Sequence, residues 1–102
     1  MTVMITDTNK DFNKWIKIAL RDLEKEHWCE AQEKITILKE EKPNCTELLI
    51  LCILLKFKIK GLSGLKKLSK VRLNMIKSTK EYPLIENGEE SQVKDHFLGI
   101  IA

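Results

Sequence analysis

Few residues in this chain have the types and the spacing that metal binding or catalysis requires. His27 and Cys29 stand close together and could bind a metal ion, but a structural zinc site needs four ligands. The other candidate ligands are Cys45, Cys52 and His96, and no C-x-x-C pair joins any of them. We therefore predict no metal site and no cofactor.

A second group of residues is similar to a phosphate-binding loop only in its glycine content. Gly61 and Gly64 precede Lys66 and Lys67, whereas a P-loop has the pattern G-x-x-x-x-G-K-[ST] and follows a strand. The acidic residues lie along polar helix faces, where nothing gathers them in a pocket as acid–base catalysis requires. No enzymatic activity is predicted.

The strongest charge pattern is a basic segment, residues 56–80. It contains 9 lysine or arginine residues and no acidic residue, whereas the flanking parts of the chain are net acidic. Such a segment can attract phosphates or an acidic partner, and it can also be the solvated face of an ordinary helix. If it bound nucleic acid, affinity would fall steeply with salt. The residues that would form this basic patch are Lys66, Lys67, Lys70 and Arg72.

The most hydrophobic part of the chain is residues 48–55, a run of eight apolar residues. A helix that is apolar on all sides has to be buried, and a membrane span needs about 20 such residues. We therefore predict a central core helix and no membrane partner. A strand is the alternative, because lysine and apolar residues alternate over residues 56–60.

The cysteine content indicates a reducing compartment. The chain has 3 cysteines without a repeating spacing, so we expect no disulfide framework. The first residues lack the basic region and the long apolar run of a secretory signal. Together these features predict an intracellular protein of the cytoplasm or nucleus.

Apolar residues at intervals of three and four predict an all-α chain of antiparallel helices. We expect a single domain with a flexible segment at 1–8, a four-helix core at 9–79, a loop at 80–90 and a short helix at 91–102. Within the core, helices are predicted over about 9–26, from 28 to before Pro43, over 46–60 and from 62 onward. The buried stripe of the fourth helix is predicted to be Leu65, Leu68, Val71 or Arg72, Met75 and Ile76.

The first two helices carry residues at the spacing of a known helical repeat. Those residues are Trp15, Ile18, Ala19, Ala31, Ile35, Leu38 and Pro43. This pattern over residues 12–45 resembles a tetratricopeptide repeat (TPR), a helix–turn–helix unit of about 34 residues. A second copy would be degenerate, since Leu49 and Lys77 replace the tryptophan and the proline. The fold is thus expected to be TPR-like or a small bundle of four to five helices.

The resemblance implies a non-enzymatic protein–protein interaction module, such as an adaptor or the terminal domain of a larger protein or complex subunit. In that family a concave groove holds a peptide or a partner helix, and lysines at one end would suit an acidic or C-terminal peptide. An apolar face left uncovered by so few repeats would favour a second copy or a larger subunit as partner. The alternative is nucleic-acid binding through the basic segment. The groove candidates are Asn13, Lys17, Asp22, Lys56 and Lys60.

Overall fold

The computed structural model describes residues 8–101, with side chains from residue 12. This part of the chain contains helices and no strand, which confirms the all-α prediction and excludes the strand alternative for residues 48–60. Residues 1–7 of the predicted flexible segment lie outside the described residues. The helices are α1 (Thr8–Glu24), α2 (Trp28–Glu41), α3 (Thr46–Lys56), α4 (Gly61–Leu65), α5 (Lys70–Lys77), α6 (Glu81–Glu86) and α7 (Gln92–Ile101).

Helix α3 forms the centre of the domain, as its composition predicts. It packs against α1, α2, α6 and α7. Along its length Leu48, Ile50, Ile53 and Leu54 are fully buried, and Leu51 is only 1% exposed. A helix surrounded in this way has no face that must be polar, which explains its uninterrupted apolar sequence.

Helices α1 and α2 form a hairpin in which small residues allow close packing. Ala19 and Ala31 are both fully buried, and Phe12, Ile16 and Leu23 fill the same side of α1. The two helices pack against each other more extensively than any other pair in residues 8–101. The spacing of apolar residues at three and four therefore located this hairpin correctly.

Helix α3 ends at Lys56, four residues before the predicted end at Lys60. Lys58 has a positive φ of 55°, and the backbone N–H of Ile59 donates to the Leu54 carbonyl at 2.8 Å. This is a Schellman cap with lysine in the left-handed position that glycine usually fills. Because this position holds lysine and not glycine, the sequence has no recognisable signal for the end of the helix.

The predicted fourth helix is two helices, α4 and α5, and the prediction of one continuous element was wrong. Residues 66–69 separate them. Ser69 is the N-cap of α5, since its hydroxyl accepts a hydrogen bond from the Arg72 backbone N–H at 3.4 Å. The Arg72 side chain then donates to the Phe57 carbonyl at 3.0 Å. These contacts place α5 beside the end of α3.

Residues 80–90, predicted as a loop, contain helix α6. Pro83 lies in the first turn of this helix, where its missing N–H removes no hydrogen bond. Burial of Ile85 in the core holds the helix in place. The prediction was wrong here because tertiary packing stabilises a short helix that its polar, proline-containing sequence does not favour.

A buried lysine stabilises the connection between α6 and α7. Lys94 is 3% exposed, and its ammonium donates to the Gly88 carbonyl at 3.0 Å and to the Glu90 carboxylate at 3.1 Å. The charge is thus paired and hydrogen-bonded, as burial of an ammonium requires. Phe97, one turn further along the same face of α7, is buried in the core.

Candidate functional site

The structure places the predicted groove residues in different settings. Asn13 and Lys17 are exposed on α1. Asp22 instead accepts a hydrogen bond from Lys34 of α2 at 2.8 Å and forms a partly buried ion pair. The predicted groove role of Asp22 therefore competes with its role in joining α1 to α2.

The two groove lysines also hold intramolecular ion pairs. The Lys56 ammonium lies 3.6 Å from the Glu81 carboxylate at the start of α6. The Lys60 ammonium lies 2.9 Å from the Glu26 carboxylate, between α1 and α2. Each of the two predicted groove lysines is therefore paired with a different acidic side chain of the same molecule.

The predicted basic patch lies at one end of the domain, around α5. Lys66 and Lys67 are in the α4–α5 connection, Lys70 begins α5, and all three are exposed. None of them forms an ion pair with any residue described by the structure. Arg72 is also exposed, but its guanidinium is engaged with the Phe57 carbonyl. Three lysines without an ion pair among the described residues therefore lie at the start of α5 and in the connection before it.

The outer side of α5 also carries exposed apolar side chains. Val71 is 68% exposed and Met75, one turn further, is 52% exposed, whereas Ile76 on the inner side is fully buried. The prediction that the buried stripe includes Met75 and either Val71 or Arg72 was wrong, since all three are exposed. Helix α5 packs chiefly against α6, and among residues 8–101 no other helix covers its outer side. We call Lys67, Lys70, Val71, Asn74 and Met75 the basic–apolar face.

Helix α2 presents an outer face of opposite charge. Ile37 is 50% exposed and lies away from the buried stripe of Ala31, Ile35 and Leu38. Glutamates surround Ile37 at helical spacings of three, four and seven residues, and none of them forms an ion pair with a residue in the described part of the chain. The acidic–apolar face consists of Glu30, Glu33, Ile37, Glu40 and Glu41.

Sequence reasoning did not identify the acidic–apolar face. Its signal was an isoleucine outside the buried stripe, between glutamates one turn before and one turn after it. A single exposed apolar residue is common on protein surfaces, so this signal was weak until the opposite face on α5 was known.

An open cleft of about 910 Å³ lies where three parts of the chain meet: residues 12–13 of α1, residues 42–47 and residues 87–91. Its lining includes the acidic residues Glu47, Glu89 and Glu90. At one side Lys42 lies over the Phe12 ring, with its ammonium 4.7 Å from the ring centre. Since three glutamates and one lysine line the cleft, its charge is net acidic.

Two structural findings concern metal binding and membranes. Within residues 8–101, histidine, cysteine, aspartate and glutamate side chains form no cluster of three or more that could hold a metal ion. Over the same residues, every helix is too short or too polar to cross a bilayer.

We expect the cysteines to differ sharply in reactivity towards iodoacetamide at neutral pH. Burial raises the pKa of the Cys52 thiol, with Glu81 adding to the increase and Lys39 and Lys56 opposing it. Since the thiolate is the reactive form, Cys52 should be alkylated at least about tenfold more slowly than the exposed Cys29. Time-resolved peptide mass spectrometry measures both rates. Labelling in urea should equalise them, and equal rates in the native protein would contradict the burial of Cys52.

Comparisons of this chain with protein-family models, curated protein sequences and solved structures found no match.

Proposed function

We propose that this protein is a non-enzymatic protein-interaction module that binds an acidic, amphipathic helix on its basic–apolar face. The observation that carries the proposal is the exposure of Val71 and Met75 within a segment that has no acidic residue. An adaptor or a subunit of a larger complex would use such a surface. The burial of Ala19 and Ala31 supports the related proposal that α1 and α2 form a TPR-like hairpin.

The chemistry of the face selects the class of partner. Val71 and Met75 gain by leaving water, so the partner needs apolar side chains opposite them. The lysines Lys67 and Lys70 at the edge attract carboxylates and discourage a basic partner. A helix with an apolar side and acidic flanks supplies both features, and docking of amphipathic helices is a common recognition mode.

Nucleic acid is the second candidate, because residues 56–80 contain no acidic side chain. Phosphate contacts would use the lysines but would leave the apolar side chains in the middle of the face without partners. Base contacts usually come from arginine, lysine, asparagine or glutamine, and on this face they could come only from Asn74 and the two lysines that phosphate contacts would also need. The apolar centre therefore favours a protein partner.

The test is binding of a synthetic helical peptide that has leucines on one side and glutamates on both flanks. Replacing Val71 and Met75 by glutamine (V71Q/M75Q) should weaken binding at least about tenfold, since about 0.8 kcal/mol is lost per methylene that is no longer buried. Fluorescence anisotropy of the labelled peptide measures the affinity. The matched control is Leu84→Gln, which removes an exposed apolar side chain from α6, outside the basic–apolar face, and should leave peptide affinity unchanged.

Equal binding by the wild-type protein and V71Q/M75Q would contradict the proposed docking face. The nucleic-acid alternative is tested in parallel with duplex DNA at low salt. Binding to DNA that survives V71Q/M75Q, but is lost when Lys66, Lys67 and Lys70 are all replaced by glutamate, would support that alternative instead.

A further inference from the structure

We propose that the acidic partner helix is α2 of a second copy of this chain, so that the protein associates head to tail. This inference rests on the proposed function, because it names the partner of the basic–apolar face. It begins from the presence of two unpartnered faces of opposite charge on one molecule.

The charges of the two faces complement each other. The acidic–apolar face has four glutamates, and the basic–apolar face has Lys67 and Lys70, with Lys66 beside it. None of these side chains forms an ion pair within the described part of the chain. Contact between two copies would therefore pair charges without breaking existing ion pairs.

The apolar centres also match. Ile37 is 50% exposed, and Val71 and Met75 are 68% and 52% exposed, so both faces have a partly hydrated apolar centre within a charged edge. Interfaces between proteins commonly have this arrangement of apolar centre and polar rim. A contact between the two centres would remove the most exposed large apolar side chains of α5 from water.

The acidic–apolar face is long enough to receive α5. Helix α5 has 8 residues and is therefore about 12 Å long. The acidic–apolar face runs from Glu30 to Glu41 and covers about 18 Å along the axis of α2, since each residue adds 1.5 Å. Helix α5 can thus lie along the acidic–apolar face with charged residues at both ends.

The positions of the faces determine the kind of assembly. Helix α2 packs against α1 and α3, whereas α5 packs chiefly against α6, so the two faces belong to different parts of the domain. A contact between α2 of one copy and α5 of the next leaves one face free on each copy. Such a heterologous contact adds further copies in a row or closes into a ring.

Sedimentation velocity over increasing concentration tests the proposal. The wild-type protein should increase in average mass as its concentration rises, and added salt should reverse the increase because it screens the charged edges. V71Q/M75Q and Ile37→Gln should each remain monomeric. An equimolar mixture of these two variants should form a dimer and nothing larger, because it contains one intact face of each kind.

Leu84→Gln is the matched control, since Leu84 is an exposed apolar residue of α6 outside both faces, and it should associate like the wild type. A monomeric wild-type protein that still binds the acidic peptide would overturn self-association and leave the proposed function standing. If neither association nor peptide binding occurred, both would be overturned. Association that persists in V71Q/M75Q would show that another surface is responsible and would also overturn this inference.

Discussion

Replacement of Leu51 by aspartate is expected to unfold the domain. Leu51 is 1% exposed at the centre of α3, which contacts helices on several sides. Loss of a buried leucine side chain costs roughly 2–5 kcal/mol, and burial of an unpaired carboxylate adds several more. Since small domains are stable by about 5–15 kcal/mol, the sum is close to the whole free energy of unfolding.

Far-ultraviolet circular dichroism and thermal melting measure this effect. The matched control is Leu84→Asp, which makes the same chemical change at an exposed position of α6 and should shift the free energy of unfolding by about 0.5 kcal/mol or less. A Leu51→Asp protein that melts cooperatively near the wild-type temperature would show that α3 is not the buried centre.

Gly88→Ala is expected to destabilise the protein by about 1–3 kcal/mol, the usual cost of forcing extra atoms into a packed site. A Cβ atom at residue 88 would collide with the hydroxyl oxygen of Thr46 and lie 3.1 Å from the Leu84 carbonyl oxygen. Thr46 is buried at the start of α3, and its short side chain cannot move far. The α6–α7 connection would have to shift. The Gly88 carbonyl, which accepts a hydrogen bond from Lys94, would shift with it.

Gly99→Ala is the matched control for this prediction, with an effect of opposite sign. Gly99 lies within α7, and a Cβ there would meet no atom within 4 Å. Alanine should stabilise the helix by about 0.5–1 kcal/mol, since it loses less conformational freedom on folding than glycine. Urea denaturation of both variants measures the two free energies.

The collision with Thr46 can be tested separately. Adding Thr46→Ala to Gly88→Ala removes the hydroxyl that the new Cβ would meet, so the double variant should lose less stability than the two single changes added together. Additive losses would mean that contact with Thr46 is not the cause, and a Gly88→Ala protein as stable as the wild type would refute the close packing itself.

If self-association occurs as proposed, it has a consequence for how the module works. A copy whose α5 is bound to a second copy cannot bind another acidic helix on the same face. An external partner and the second copy would therefore compete, and partner binding would be strongest at low protein concentration.

The α1–α2 hairpin and the central place of α3 were predictable because the information is local. Apolar residues that recur at three and four must share a helical face, and that face must be buried. A run with no polar residue leaves a helix no side to expose, so Leu51 and its neighbours had to lie inside. Neither argument requires knowledge of which other helix provides the contact.

The ends of helices in the second half were not predictable in this way. Lysine at position 58 adopts the left-handed conformation because the chain must turn back after α3, and nothing local distinguishes it from lysine in a helix. The short helix α6 persists because Ile85 is buried by other elements. In both places tertiary contacts outweigh weak local preferences.

From its sequence alone, the chain is determined to be helical, to have α3 at its centre and to carry a basic segment, since these properties depend on residue type and on spacing along one helix. Whether an apolar residue on a helix is covered depends instead on a second helix that the periodicity does not reveal. Val71 and Met75 have the same spacing as core residues, yet they are exposed because no helix in the described part of the chain packs on the outer side of α5. The tertiary structure therefore determined the candidate interaction surface, since only the arrangement of the helices shows which apolar residues stay uncovered.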